Sequence, residues 1–114
     1  MLDKKLNIKD GNTVAIVNSP HAIDIAAGRA DAGTADAVIL FTKDKAELTA
    51  HLSVLVEAAK RGALVWLAYP KAKQLGTDLN RDIIHDYMPN VGLNAVRQVA
   101  IDDTWSALRF KPLA

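Results

Sequence analysis

Ala63-Leu-Val-Trp-Leu-Ala-Tyr69, running into Pro70-Lys-Ala-Lys-Gln-Leu-Gly-Thr-Asp-Leu-Asn-Arg81, is the stretch that decides the fold of this chain. Its first part is apolar at consecutive positions, so a strand built from it is apolar on both faces. Such a strand belongs in the middle of a covered sheet. The basic, polar loop that follows leaves from the strand's C-terminal end, where open α/β sheets place their ligand sites.

Upstream, Asp44 and Glu47 form a capping-box-like pair. Ala46, Leu48, Leu52, Leu55, Val56 and Ala59 follow at helical spacing and predict a helix over about 45–60, closed by Lys60, Arg61 and Gly62. Ala37-Val-Ile-Leu-Phe-Thr42 precedes it as a buried strand, and Thr13–Val17, after the Asp10-Gly11-Asn12 turn, as another. Between these two, Ser19-Pro20 predicts a helix over 20–27 that stops at Gly28, then a polar loop. Residues 2–9 carry Leu2, Leu6 and Ile8 among charges, a short packing segment.

Downstream, Thr77 or Asp78 caps a third helix with Leu79, Ile83, Ile84, Tyr87 and Met88 on its apolar face, ended by Pro89 and Gly92. Asn94–Ile101 and Ser106–Lys111 then pair as a hairpin about the turn Asp102-Asp103-Thr104. Strand–helix units in series argue a parallel sheet with right-handed crossovers. The prediction is one α/β domain over residues 1–114, a mostly parallel twisted sheet of about five strands with a C-terminal antiparallel hairpin. The expected strand order is 13–17, 37–42, 63–69, 106–111, 94–101.

Bulk composition narrows the partners. Lys plus Arg is 14 against 13 for Asp plus Glu, a net charge of +1, which gives no general electrostatic reason to bind nucleic acid or an anionic membrane. The chain has no cysteine, hence no disulfide frame and no thiolate metal site. No stretch approaches the roughly 20 apolar residues of a membrane span, and Met1–Lys9 lacks a signal-peptide core. A soluble, cytoplasmic domain is expected, with neither nucleic acid nor membrane as partner.

Two resemblances follow from particular segments. Leu6-Asn-Ile-Lys-Asp-Gly11 leading into Thr13–Val17, the acid-capped helix, the strand ending in Tyr69-Pro70 and the terminal hairpin resemble the sheet of class I methyltransferases. Where those enzymes carry a Gly-rich turn, this chain has Asn18-Ser19-Pro20-His21, and no glycine appears until Gly28. Between Val17 and Ala37 there are too few residues for the acid-ended second strand and the third strand. The resemblance therefore implies a truncated methyltransferase-like (Rossmann-like) fold without the half that holds S-adenosylmethionine, and no cofactor is expected. Tyr69-Pro70-Lys71, Thr77-Asp78-Leu79 and Val99-Ala-Ile-Asp-Asp-Thr-Trp-Ser-Ala-Leu108 together resemble a family of small bacterial domains of unknown function, with Asp103–Leu108 its distinctive piece. That resemblance spans nearly the whole chain except 21–36, and it implies a fold but no activity.

The candidate site is the C-terminal edge of the sheet. Asn18, Ser19 and His21 follow one strand, Thr42 and Lys43 the next, and Lys71, Lys73, Thr77 and Asp78 the third. If they converge, amines and helix N-termini suit an anionic metabolite bearing phosphate or carboxylate. The plainer account has the lysines solvated and Ser19 and Thr77 or Asp78 capping helices. Asp78 and Arg81 suit a surface ion pair. Asp102-Asp103-Thr104-Trp105-Ser106 suits a turn whose Trp packs over the sheet end, since adjacent strand residues point to opposite faces. His21, His51 and His85 fall on separate elements and make no metal site, and no serine-hydrolase elbow or phosphate-binding loop is present. Two functions fit these residues: a non-enzymatic structural or interaction domain unable to bind S-adenosylmethionine, and a small enzyme or binding protein for an anionic metabolite.

Counting layers adds an expectation about assembly. Helices over 20–27, 45–60 and 78–88 would share one sheet face, leaving the other to residues 2–9. Leaving that face wet would forfeit on the order of 10 kcal/mol, so a homodimer through it is expected. Val38→Lys or Val65→Lys, whichever side chain faces away from the helices, would break it.

Overall fold

The strand Leu64–Pro70 lies inside a six-stranded sheet in the computed structural model, which describes residues 2–71 and 74–113. In chain order the strands are β1 (Thr13–Val17), β2 (Gly28–Arg29), β3 (Ala37–Phe41), β4 (Leu64–Pro70), β5 (Leu93–Ala100) and β6 (Trp105–Pro112). Helix α1 (Lys45–Lys60) joins β3 to β4, and α2 (Arg81–Tyr87) lies between β4 and β5. Across the sheet the order is β2-β1-β3-β4-β6-β5. β1 to β4 pair in parallel, while β6 is antiparallel to both β4 and β5. This is an α/β domain of truncated Rossmann-like topology, and the five expected strands stand in the expected order with the two-residue β2 added at one edge.

Helix α1 begins where its capping pair places it: Asp44 accepts a hydrogen bond from the Glu47 amide at 2.9 Å. It ends before Gly62, whose φ of 86° is the left-handed conformation glycine adopts without a Cβ penalty. The third helix starts later than expected. Asn80, not Thr77 or Asp78, is the N-cap of α2 and accepts from the Ile83 amide at 2.9 Å. The chain then tightens into a 3-10 turn over Met88–Val91, closed by left-handed Gly92.

The expected helix over 20–27 does not form. That stretch is extended and leads into β2. Three local interactions hold it so. Asn18 already turns the chain at φ 58°. The Ser19 hydroxyl donates to the His21 carbonyl instead of accepting from a first-turn amide. The Asp3 carboxylate accepts from the amides of Ala26 and Ala27, both at 2.9 Å. Ile23 and Ile25 turn inward while Ala22, Asp24 and Ala26 stay exposed, a period of two rather than 3.6.

That segment lies on the opposite sheet face from the helices, which corrects the layer count. Helices α1 and α2 cover Ala15, Val38, Leu40, Val65, Leu67 and Phe110. The second face, with Val14, Ile39, Phe41, Trp66 and Ala107, is covered by Leu6, Ile8 and Ile25. Trp66 is fully buried, and its indole donates to the Leu6 carbonyl at 3.0 Å. The wet face that motivated a dimer is therefore closed by the chain itself. Val38 and Val65 both face the helices, so neither lies on the face away from them. Trp105 packs over the end of this face as expected, edge-on to Phe41 at 5.2 Å.

Candidate functional site

The expected crevice residues separate into three places. The first is the N-terminus of α1. The crossover after β1 runs over the second face and the one after β3 over the first, so the C-terminal ends of these neighbouring strands form the topological switch point. There Asn18 Nδ2 donates to the Phe41 carbonyl at 2.9 Å and to Glu47 Oε1 at 3.1 Å. Glu47 Oε1 also accepts from the Lys43 amide at 2.8 Å, and Asp78 Oδ1 from the Lys45 amide at 2.8 Å. With Asp44 on the Glu47 amide, three carboxylates serve this helix end. The positive end of the dipole, which attracts anions, is compensated from within. Asn18, Lys43 and Asp78 are thus brought together, as backbone-binding groups.

The second place is across the sheet. His21 Nε2 lies 3.8 Å from Asp102 Oδ2, and its Nδ1 is 2.9 Å from the Ala22 carbonyl. Asp102 also accepts from the amides of Thr104 and Trp105, both at 2.8 Å, which makes it the organiser of the hairpin turn. Ser19 stays with His21 through its bond to the His21 carbonyl. Thr77 forms a local turn, accepting from the Leu79 amide at 3.0 Å. Lys73 lies outside the described residues.

The third place is the end of β4, where Lys71 borders a cavity of about 500 Å³ lined by Tyr69, Asn80, Arg81, Asp82, Gln98 and Ser106. It shares Arg81, Asp82 and Gln98 with a wider groove of about 690 Å³ between α2 and β5. Tyr69 and Ser106 are register partners on β4 and β6, and both are buried. Gln98 Nε2 donates to the Tyr69 hydroxyl at 3.3 Å, and Arg81 Nη1 to Gln98 Oε1 at 3.3 Å. Burial pushes the Tyr69 phenol above its ordinary pKa, opposed by the Arg81 charge and a Ser106 hydrogen bond, so a neutral hydroxyl faces the cavity. A β-bulge makes this chain of groups continuous. The register slips between Ala95 and Arg97, which turns Gln98 to the Tyr69 side.

Tyr69, Arg81, Gln98 and Ser106 were not among the expected site residues. A buried tyrosine needs a partner for its hydroxyl, and that requirement at the C-terminal end of the central strand is the one signal that could have found this edge. The bulge had no sequence signal. The segments that carried the family resemblance meet at this edge: Tyr69 opposes Ser106, Pro70 opposes Trp105, and the Lys71 amide donates to the Thr104 carbonyl at 2.7 Å. A family model described as "Protein of unknown function (DUF3052)" matches residues 21–112. The chain belongs to that family. The matched span takes in the cavity and also the 21–36 stretch, which was expected to lie outside the resemblance. No curated protein matches the chain.

Proposed function

We propose that this member of the family works by binding a partner rather than by catalysis, as a structural or interaction domain that does not take S-adenosylmethionine. The observation that supports it is the internal use of the switch point. Asn18 and Glu47 bridge β1, β3 and α1 where a cofactor would lie, and Asp44 and Asp78 take further amides of the helix end. A bound phosphate or nucleotide there would have to displace charge-assisted hydrogen bonds and lie beside carboxylates. The cytoplasm suits a chain without cysteine, and we place its work there. The homodimer expected through the second face forms no part of this proposal, since that face is covered from within. Isothermal titration with S-adenosylmethionine tests the reading: no heat of binding is expected, and micromolar affinity would overturn it.

A second reading is favoured by the cavity at the end of β4. Lys71 and Arg81, with the hydroxyls of Tyr69 and Ser106, are donors suited to a small carboxylate or phosphate ester. A thermal-shift screen against such metabolites separates the two readings. A hit lost in Lys71→Ala favours the cavity, and silence across the panel favours the interaction domain.

A further inference from the structure

The face of the sheet away from α1 carries, toward the hairpin edge, a row of register partners: Trp66 on β4, Arg109 on β6 and Arg97 on β5. Strand alternation sets their side. Ala107 and Val99 belong to the second-face cluster, whereas Gln98 bonds Tyr69 on the first. Arg97 and Arg109 therefore project from the second face directly opposite one another, with Cβ atoms roughly 4.5–5.5 Å apart. Like charges so placed repel. Among the described residues, neither guanidinium has a hydrogen-bond or ion-pair partner, and Arg109 Nε is shut off from water without an acceptor.

Neighbouring charges deepen the imbalance. Lys111 lies two residues beyond Arg109 on the same side of β6, and Lys5 Nζ donates to the Ala100 carbonyl of β5 at 2.7 Å. Two carboxylates of the bordering segments are engaged elsewhere, Asp3 on the amides of Ala26 and Ala27 and Asp102 on those of Thr104 and Trp105. Two planar guanidinium forks carried on opposed register positions of one face match an oxyanion, which accepts paired N–H donors from each side.

We propose that Arg97 and Arg109 form a binding site for an oxyanion, a phosphate or carboxylate group bridging the two guanidiniums. The site lies on the opposite sheet face from the Tyr69 cavity and depends on neither reading of function. The anion is either free or carried on an acidic segment of a partner chain, and two arms of one experiment distinguish these sources.

The melting temperature of the full chain is followed during titration with inorganic phosphate and, separately, with a hexaglutamate peptide, ionic strength being held constant with chloride. A ligand at ten times its Kd is expected to raise the midpoint by about 5 °C. Arg97→Gln, on an exposed edge-strand residue, is expected to abolish the rise, and Lys60→Gln, on the exposed last turn of α1, to keep it. A rise with phosphate assigns the site to a free oxyanion, and a rise with the peptide alone to an acidic partner segment. Neither ligand exceeding chloride, or an unchanged rise in Arg97→Gln, would overturn the proposal. Should Arg109→Gln not fold, Arg97→Gln still decides the outcome.

Discussion

The hydroxyl of Tyr69, a residue buried with Ser106 and bonded by Gln98, links one residue's ionisation to the stability of the whole chain. Its folded pKa is raised above the ordinary 10.0, whereas the unfolded chain titrates near that value. The protonated phenol therefore supports folding. Its contribution is complete below pH 10.0 and is lost as pH rises from there through the higher folded pKa. Urea midpoints measured up to about pH 11 should fall more steeply for wild type than for Tyr69→Phe. At neutral pH the variant should be weaker by about 0.5–1.5 kcal/mol, having lost the hydroxyl's hydrogen bonds. Asp3 works at the other end of the scale. The Ala26 amide above all, and then that of Ala27, hold its carboxyl below 3.8. Its contribution is present above 3.8 and disappears as pH falls through the lowered folded value. Asp3→Asn should therefore be less stable than wild type at neutral pH, and the gap should close in acid denaturation below 3.8.

At the level of elements, α1 and the segment before β1 make a direct comparison. Asp44→Ala removes the N-cap of α1 and should cost about 0.5–2 kcal/mol. Leu55→Ala in α1 and Leu6→Ala in the N-terminal segment both empty fully buried positions, and each should cost about 2–5 kcal/mol in denaturant unfolding. Equal costs would show that the N-terminal segment is core rather than a tail. Its importance was faint in the sequence, because Leu6 and Ile8 stand among lysines and form no regular element. The strands were legible because β3 and β4 are apolar at every position, and α1 because its caps and its apolar period agree. Residues 20–27 misled, since Ser19-Pro20 is a good helix start. The alternation Ile23-Asp24-Ile25 was the competing signal, and tertiary contact with Asp3 decided for it. The candidate site was legible only as an edge. Asn18, Lys43 and Asp78 were placed at the correct end of the sheet, but partner choice among close polar groups depends on distances that composition does not carry.

For the whole molecule, cover over the apolar part of both sheet faces by one chain predicts that light scattering at micromolar concentration gives the 12.3 kDa mass of a single copy. Ile39→Lys, which buries an unpaired ammonium in the second face, should yield unfolded or insoluble chain rather than a well-folded protein. The way that face is closed has a consequence in time. Its cover bonds to Trp66 from 60 residues earlier and to Ala100 from 95 residues earlier. Residues 2–9 thus wait for β4 and β5, and the loop-closure entropy is spent before most native contacts exist. Refolding from urea should be slow for so short a chain, in the millisecond-to-second range of non-local topologies. During synthesis Phe41 would stand without its Trp105 partner on a half-made sheet until β6 leaves the ribosome, an interval in which the nascent chain is open to chaperones and to its own neighbours.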